Sequence, residues 1–156
     1  MCPSRAFLQV LILVLVLFLI YSYKKMYDYA TLNIANFSEF LEQVNSGRMR
    51  LEGYYRGRKV VLSYFTMGSR SNNFIAPCIE PLVEPKQKFF RLTNPRITEN
   101  TVLVGKKIYY NCRRGLADLW SADRWGNIKV FSKDEIPAVL EELVQAAEIV
   151  ESNPEL

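Results

Sequence analysis

The chain has 156 residues, 49% of them hydrophobic and 23% charged, which suits one globular unit and excludes wholesale disorder. Its 20 basic and 16 acidic residues leave a net charge of +4, and the two signs are well mixed, so nucleic acid is disfavoured as a partner. Histidine is absent, which removes the commonest general base and the commonest metal ligand.

The first element is AFLQVLILVLVLFLIYSY, Ala6 to Tyr23, without one charge. As a helix it is about 27 Å long, close to the hydrocarbon thickness of a bilayer. Leu, Val and Ile occupy every side, so no polar stripe marks a soluble amphipathic helix. A cleaved signal has a shorter apolar core ending in small residues, whereas this run ends in Tyr21-Ser22-Tyr23 and Lys24-Lys25. Cys2 precedes the run and is not placed as a lipoprotein cysteine would be. The reading is an uncleaved single-pass anchor, with the lipid bilayer as the partner of Ala6 to Tyr23. The flanks are nearly balanced, Arg5 and the terminal amine against Lys24 and Lys25, so the side of the C-terminal domain stays open.

This divides the chain into an N-terminal tail and anchor (1–25), a linker (26–35), a soluble α+β domain (36–151) and a short tail (152–156). NFSEFLEQVNSG is expected to open the domain as a short helix. Asn36 would be its N-cap, Glu39 stands three residues on, Phe37, Phe40, Leu41 and Val44 share one side, and Gly47 would be the C′ residue. Asn36-Phe37-Ser38 also spells a glycosylation sequon, for which the cap is the preferred explanation.

RMRLEGYYRGRKVVLSYF reads as a hairpin turning at Arg56-Gly57. It pairs Tyr55 with Arg58, Tyr54 with Lys59, Gly53 with Val60, Glu52 with Val61 and Leu51 with Leu62, and on to Met49 with Tyr64. That register gathers apolar residues on one side. Arg48, Arg50, Tyr54, Arg56 and Lys59 fall on the other, where they make a candidate contact for an anionic surface. The order of anchor, FSEFLEQVNSG and basic strand resembles the start of the membrane-bound AAA proteases. The ATPase, the peptidase and the second span have no counterpart here, so the resemblance implies a shared local design and no activity.

FIAPCIEPLVEP has proline at 77, 81 and 85, which argues for an edge or irregular path rather than a central strand. FFRLTNP is expected to be a strand ending at Asn94-Pro95. TVLVGKKIYYN reads as a second hairpin with a type II′ turn at Gly105-Lys106, pairing Leu103 with Ile108 and Val102 with Tyr109. Both its faces are apolar, which suggests the buried middle of the sheet. A further strand is expected at Asn127 to Phe131. Last comes an amphipathic helix in SKDEIPAVLEELVQAAEIVE, with Ser132 and Glu135 as a capping box. Ile136, Val139, Leu140, Leu143, Val144, Ala147 and Val150 form one stripe for packing on the sheet.

No phosphate loop, nucleophile elbow or zinc spacing occurs, so no catalytic, cofactor-binding or metal-binding residue is assigned. Cys78 and Cys112 are able to pair where the domain faces an oxidising compartment, but their spacing is no framework. Asp118 and Asp123 read as surface residues, and Arg113, Arg114, Trp120, Arg124 and Trp125 as a second basic and aromatic cluster. The function expected is a membrane-anchored binding or scaffold module without catalysis, with a protein partner at the membrane. A tethered anionic-lipid binder and an enzyme of unrecognised type acting on an envelope substrate remain the alternatives.

Overall fold

Between Arg5 and Ser38 the chain holds neither glycine nor proline, and nothing in that stretch breaks a helix. In a computed structural model, which describes residues 5–67, 72–86, 95–110 and 130–153, it forms one 34-residue helix, α1 (Arg5–Ser38). At 1.5 Å per residue α1 is about 51 Å long. Its first half is exposed all round, with the large apolar side chains from Phe7 to Tyr21 between 45% and 64% accessible. In its second half Ala30, Asn33 and Phe37 recur at helical spacing and are buried, with Ile34 packed beside them. Residues 26–35, expected to be a linker, are therefore helical and enter the core.

Where a helix is expected to start, at Asn36, α1 is instead about to end, at Ser38. Phe40 N–H returns to the Phe37 carbonyl (3.0 Å), and the chain then enters a strand, β1 (Glu42–Gly47). Asn36 caps nothing. Its amide donates to the Phe131 carbonyl (3.0 Å), while Asn33 Oδ1 accepts the Phe131 N–H (2.9 Å). Glu39 pairs with Lys133 rather than with the backbone of Asn36 (2.5 Å). Asn45, Ser46 and Gly47 are weak helix formers, and the free edge of the next strand offers them a ladder. Gly53 makes room for that approach: a Cβ there would stand 2.8 Å from Leu41 Cβ and 3.2 Å from the Glu42 carbonyl oxygen. The separate short helix that carried the resemblance to AAA proteases is thus not present.

The remaining strands are β2 (Arg50–Tyr55), β3 (Arg58–Met67), β4 (Asn72–Ile79), β5 (Thr101–Val104) and β6 (Lys107–Tyr110). They form one antiparallel sheet in the order β1-β2-β3-β4-β6-β5. The first expected hairpin has its expected register from Tyr55–Arg58 to Leu51–Leu62. Arg56 and Gly57 both have positive φ (49° and 73°), as a type I′ turn requires. Met49 does not continue β2, because Arg48 and Met49 form the turn that joins β1 to it, with Met49 at φ 69°. The second hairpin also has its expected register, and of its two turn residues Gly105 alone has positive φ (61°), the mark of type II′.

Two expectations about the sheet are corrected. β4 is a central strand despite Pro77. Glu80 N–H donates to the Lys59 carbonyl (3.0 Å), so the alternation of the ladder turns the Pro77 nitrogen away from β3. On that other side, pairing with β6 covers only Cys78 and Ile79 and stops where proline has no hydrogen to give. The 101–110 hairpin, in turn, lies at one end of the sheet and not in its middle. Its outer strand β5 is buried because residues 95–97 cover it: Arg96 bridges to Val102, and Leu103 N–H reaches the Pro95 carbonyl (2.9 Å). Most of FFRLTNP, and the strand expected at 127–131 apart from Val130 and Phe131, lie outside the described residues. Phe131 itself is in no strand.

The C-terminal helix, α2 (Ile136–Ser152), buries all seven residues of its expected stripe, with Ala146 added. Pro137 sits in its first turn. Half of the capping box forms: Glu135 accepts the Ser132 N–H (3.1 Å), and the Ser132 hydroxyl donates to that same carboxylate instead of capping the helix. The second half of α1 and all of α2 lie on one side of the sheet. Leu51, Val60, Leu62, Ile79, Leu103 and Ile108 meet them there. Phe131 closes the gap between the layers, edge-on to Phe37 (5.4 Å) and to Tyr110 (6.0 Å). The fold is α+β, a long N-terminal helix leading into a six-stranded antiparallel sheet with the C-terminal helix packed on it.

Candidate functional site

The five residues expected to share one exposed face are divided among three places. Arg50, Tyr54 and Lys59 stay on the side of the sheet away from the helices. There Arg50 pairs with Glu52, whose carboxylate also lies 3.9 Å from Lys59. The hydrogen bond from Arg50 holds the Glu52 carboxyl below its ordinary range. Further along the same side Lys107 pairs with Glu80 (3.2 Å). This face therefore sets pairs of opposite charge around Val61, Cys78 and Val102, which are buried on the same side. Arg56 leaves it altogether. It occupies the β2–β3 turn, lies over the Tyr55 ring (5.7 Å) and pairs with Glu141 of α2 (2.7 Å).

Arg48 takes the third place. The chain turns back after α1, β1 returns it along the helix, and the β1–β2 turn sets the Arg48 guanidinium 5.7 Å from the centre of the Tyr27 ring. Tyr27 is four positions beyond Tyr23, about 6 Å along the axis from the end of the uncharged run. Lys24 and Lys25 lie on the same turn of α1, and Lys25 leans over the Tyr29 ring (5.7 Å). Successive residues step about 100° round a helix, so Lys25, Lys24 and Arg48 above Tyr27 take three of its sides and leave the fourth to the sheet. Among the described residues none of these three cations meets a carboxylate within ion-pair distance. Asp28, one turn beyond Lys24, is the acidic residue nearest to the two lysines in sequence, and Glu52, four positions beyond Arg48, is engaged by Arg50.

Family models, curated proteins and solved structures were compared with this chain, and none matches. The arrangement has to be read from its own residues.

Three carboxylates of α2 that the hydrophobic pattern did not mark hold the domain's loops in place. Glu141 accepts the Tyr55 hydroxyl (2.6 Å), which raises the pKa of that phenol. Glu142 accepts from the Thr98 hydroxyl (2.6 Å) and from both the backbone and the side chain of Asn100 (3.1 Å each). Glu151 takes Arg58 (2.7 Å) and the Leu82 N–H (2.7 Å). The signal that could have found them is acid on the flank of a stripe that is itself wholly apolar. Cys78 is buried and free, next to Val61 and Tyr109 in the ladder, and burial pushes its thiol up to about 12. That is the opposite of an activated nucleophile. Cys112, Asp118, Asp123 and the cluster of Arg113, Arg114, Trp120, Arg124 and Trp125 lie outside the described residues.

Proposed function

We infer that this chain is a single-pass membrane protein whose domain is a binding or scaffold module without catalysis, held at a set height and angle over the bilayer. One observation carries the reading. The same unbroken helix is uncharged from Ala6 to Tyr23, exposed on every side as far as Tyr21, long enough to cross a membrane, and then buries Ala30, Asn33 and Phe37 in the domain core. A cleavable or flexible tether would need a break between those halves, and the sequence supplies none. A helix without a hinge suits a protein that presents one face to a partner in or beside the same membrane.

The test is membrane retention. The full chain is expected to stay with membranes through an alkaline carbonate wash and to float with them in a density gradient. Leu13→Arg combined with Leu15→Arg adds about 5–7 kcal/mol to insertion and is expected to move the protein to the supernatant. Retention of the double variant, or release of the wild type, would refute the anchor. A compartment-specific reporter after Leu156 then identifies the side, and crosslinking in those membranes searches for the partner.

A further inference from the structure

We propose that Lys24, Lys25 and Arg48 form a basic collar that binds the headgroups of anionic phospholipids. The proposal rests on the membrane reading above and assigns the lipid contact to a different place from the sheet face.

Depth comes first. The interfacial layer of a bilayer is about 5–8 Å thick on each side, and Lys24, Lys25 and Tyr27 fall within it if Tyr23 marks the edge of the hydrocarbon. Arg48 is far from them in sequence, yet its guanidinium stands over Tyr27 and so shares their level. Charge comes second. Arg50, Arg56, Arg58, Lys59, Lys106, Lys107 and Lys133 each have a carboxylate within 4.0 Å or less, and the collar cations, like the scattered Arg5, Lys86 and Arg96, have none among the described residues. Three positive charges against Asp28 leave an excess of two at headgroup height. Chemistry comes third. A guanidinium held by a tyrosine face keeps its hydrogen-bonding edges for a phosphate, and tyrosines 21, 23 and 27 supply the amphipathic surroundings usual at that depth.

The experiment uses the full chain in neutral phosphatidylcholine bilayers doped with spin-labelled phosphatidylglycerol or spin-labelled phosphatidylcholine. The immobilised fraction reports which lipid sits against the protein. The wild type is expected to prefer the anionic probe, and the preference is expected to shrink as salt rises. Each charge removed is expected to lower it by up to about fivefold at low salt. Lys24→Gln with Lys25→Gln and Arg48→Gln abolishes it, and Arg48→Gln alone lowers it, which guards against a triple variant that misfolds. Arg50→Gln with Lys59→Gln leaves it unchanged, and inorganic phosphate acts no more strongly than chloride of equal ionic strength. A wild type without preference, an unaffected triple variant, loss of preference in the Arg50 and Lys59 variant, or specific competition by phosphate would each overturn the collar. Protein that fails to float with the bilayers sinks the anchor as well, whereas floating protein without a preference sinks the collar alone.

Discussion

Cys78 shows how position on a ladder decides chemistry. Its neighbours across the strands are Val61 and Tyr109, and burial is the main reason its thiol is shifted to about 12 from an unfolded value of 9.0. Because the folded value is the higher one, the thiol contributes stability that is complete below about pH 9. It is lost as pH rises toward 12, since only the unfolded chain ionises readily in that window. In a background of Cys2→Ser and Cys112→Ser, alkylation of Cys78 by iodoacetamide is expected to be slow in the native protein and fast in denaturant. Unfolding midpoints should fall between pH 9 and 12, and Cys78→Ala should flatten that fall. Ready labelling of the native protein at neutral pH would contradict the burial. Gly53 makes the same point for backbone: its missing Cβ is what lets the segment at Leu41 and Glu42 lie against β2.

Helix α2 works as a two-sided element. Its apolar stripe covers the sheet, and its acidic flank gathers the β2–β3 turn, the segment after β4 and the turn before β5. Arg58–Glu151 is the least accessible ion pair among the described residues, with the side chains 11% and 15% exposed. Glu151→Ala leaves Arg58 without its carboxylate and the Leu82 N–H without its acceptor. The expected loss is about 2–3 kcal/mol, allowing for the remaining solvent access. Glu151→Gln should recover part of it, because an amide oxygen still serves Leu82. Denaturant midpoints of the three proteins in one detergent measure this. Equal midpoints would show that α2 is held by its apolar stripe alone.

At the level of the whole molecule, the apolar first half of α1 and the domain are not separable at residue 35. Phe37 lies in the core against Phe131, and its removal alone is expected to cost about 3–5 kcal/mol, a large share of an ordinary domain's stability. A fragment that begins at Lys24 keeps Ala30, Asn33 and Phe37 and is expected to fold, with near-ultraviolet circular dichroism and resistance to protease. A fragment that begins at Glu39 is expected to show neither. If both fold alike, the second half of α1 is a tether and the set orientation proposed for the domain is wrong. The continuous helix also places the β1–β2 turn beside Tyr27, so that Arg48, expected on a strand face, stands against α1 instead.

Much of this fold was legible because much of it is local. Two-residue turns at Arg56-Gly57 and Gly105-Lys106 and an alternation of period two determine the register of both hairpins, and a 3.6-residue stripe determines α2. The charge-free run determines which part of α1 is apolar and long enough to cross a membrane. What the tertiary structure alone decided involves partners distant along the chain. Whether FSEFLEQVNSG is helix or strand depends on the open edge of β2 and on Gly53. Whether Pro77 suits a central strand depends on which neighbour its nitrogen faces. Which cations remain unneutralised depends on carboxylates from other strands and from α2. Hydrophobic period is set by a residue's own helix or strand, but a charge or a backbone edge is satisfied by whatever the fold brings beside it, and that is absent from any short stretch of sequence.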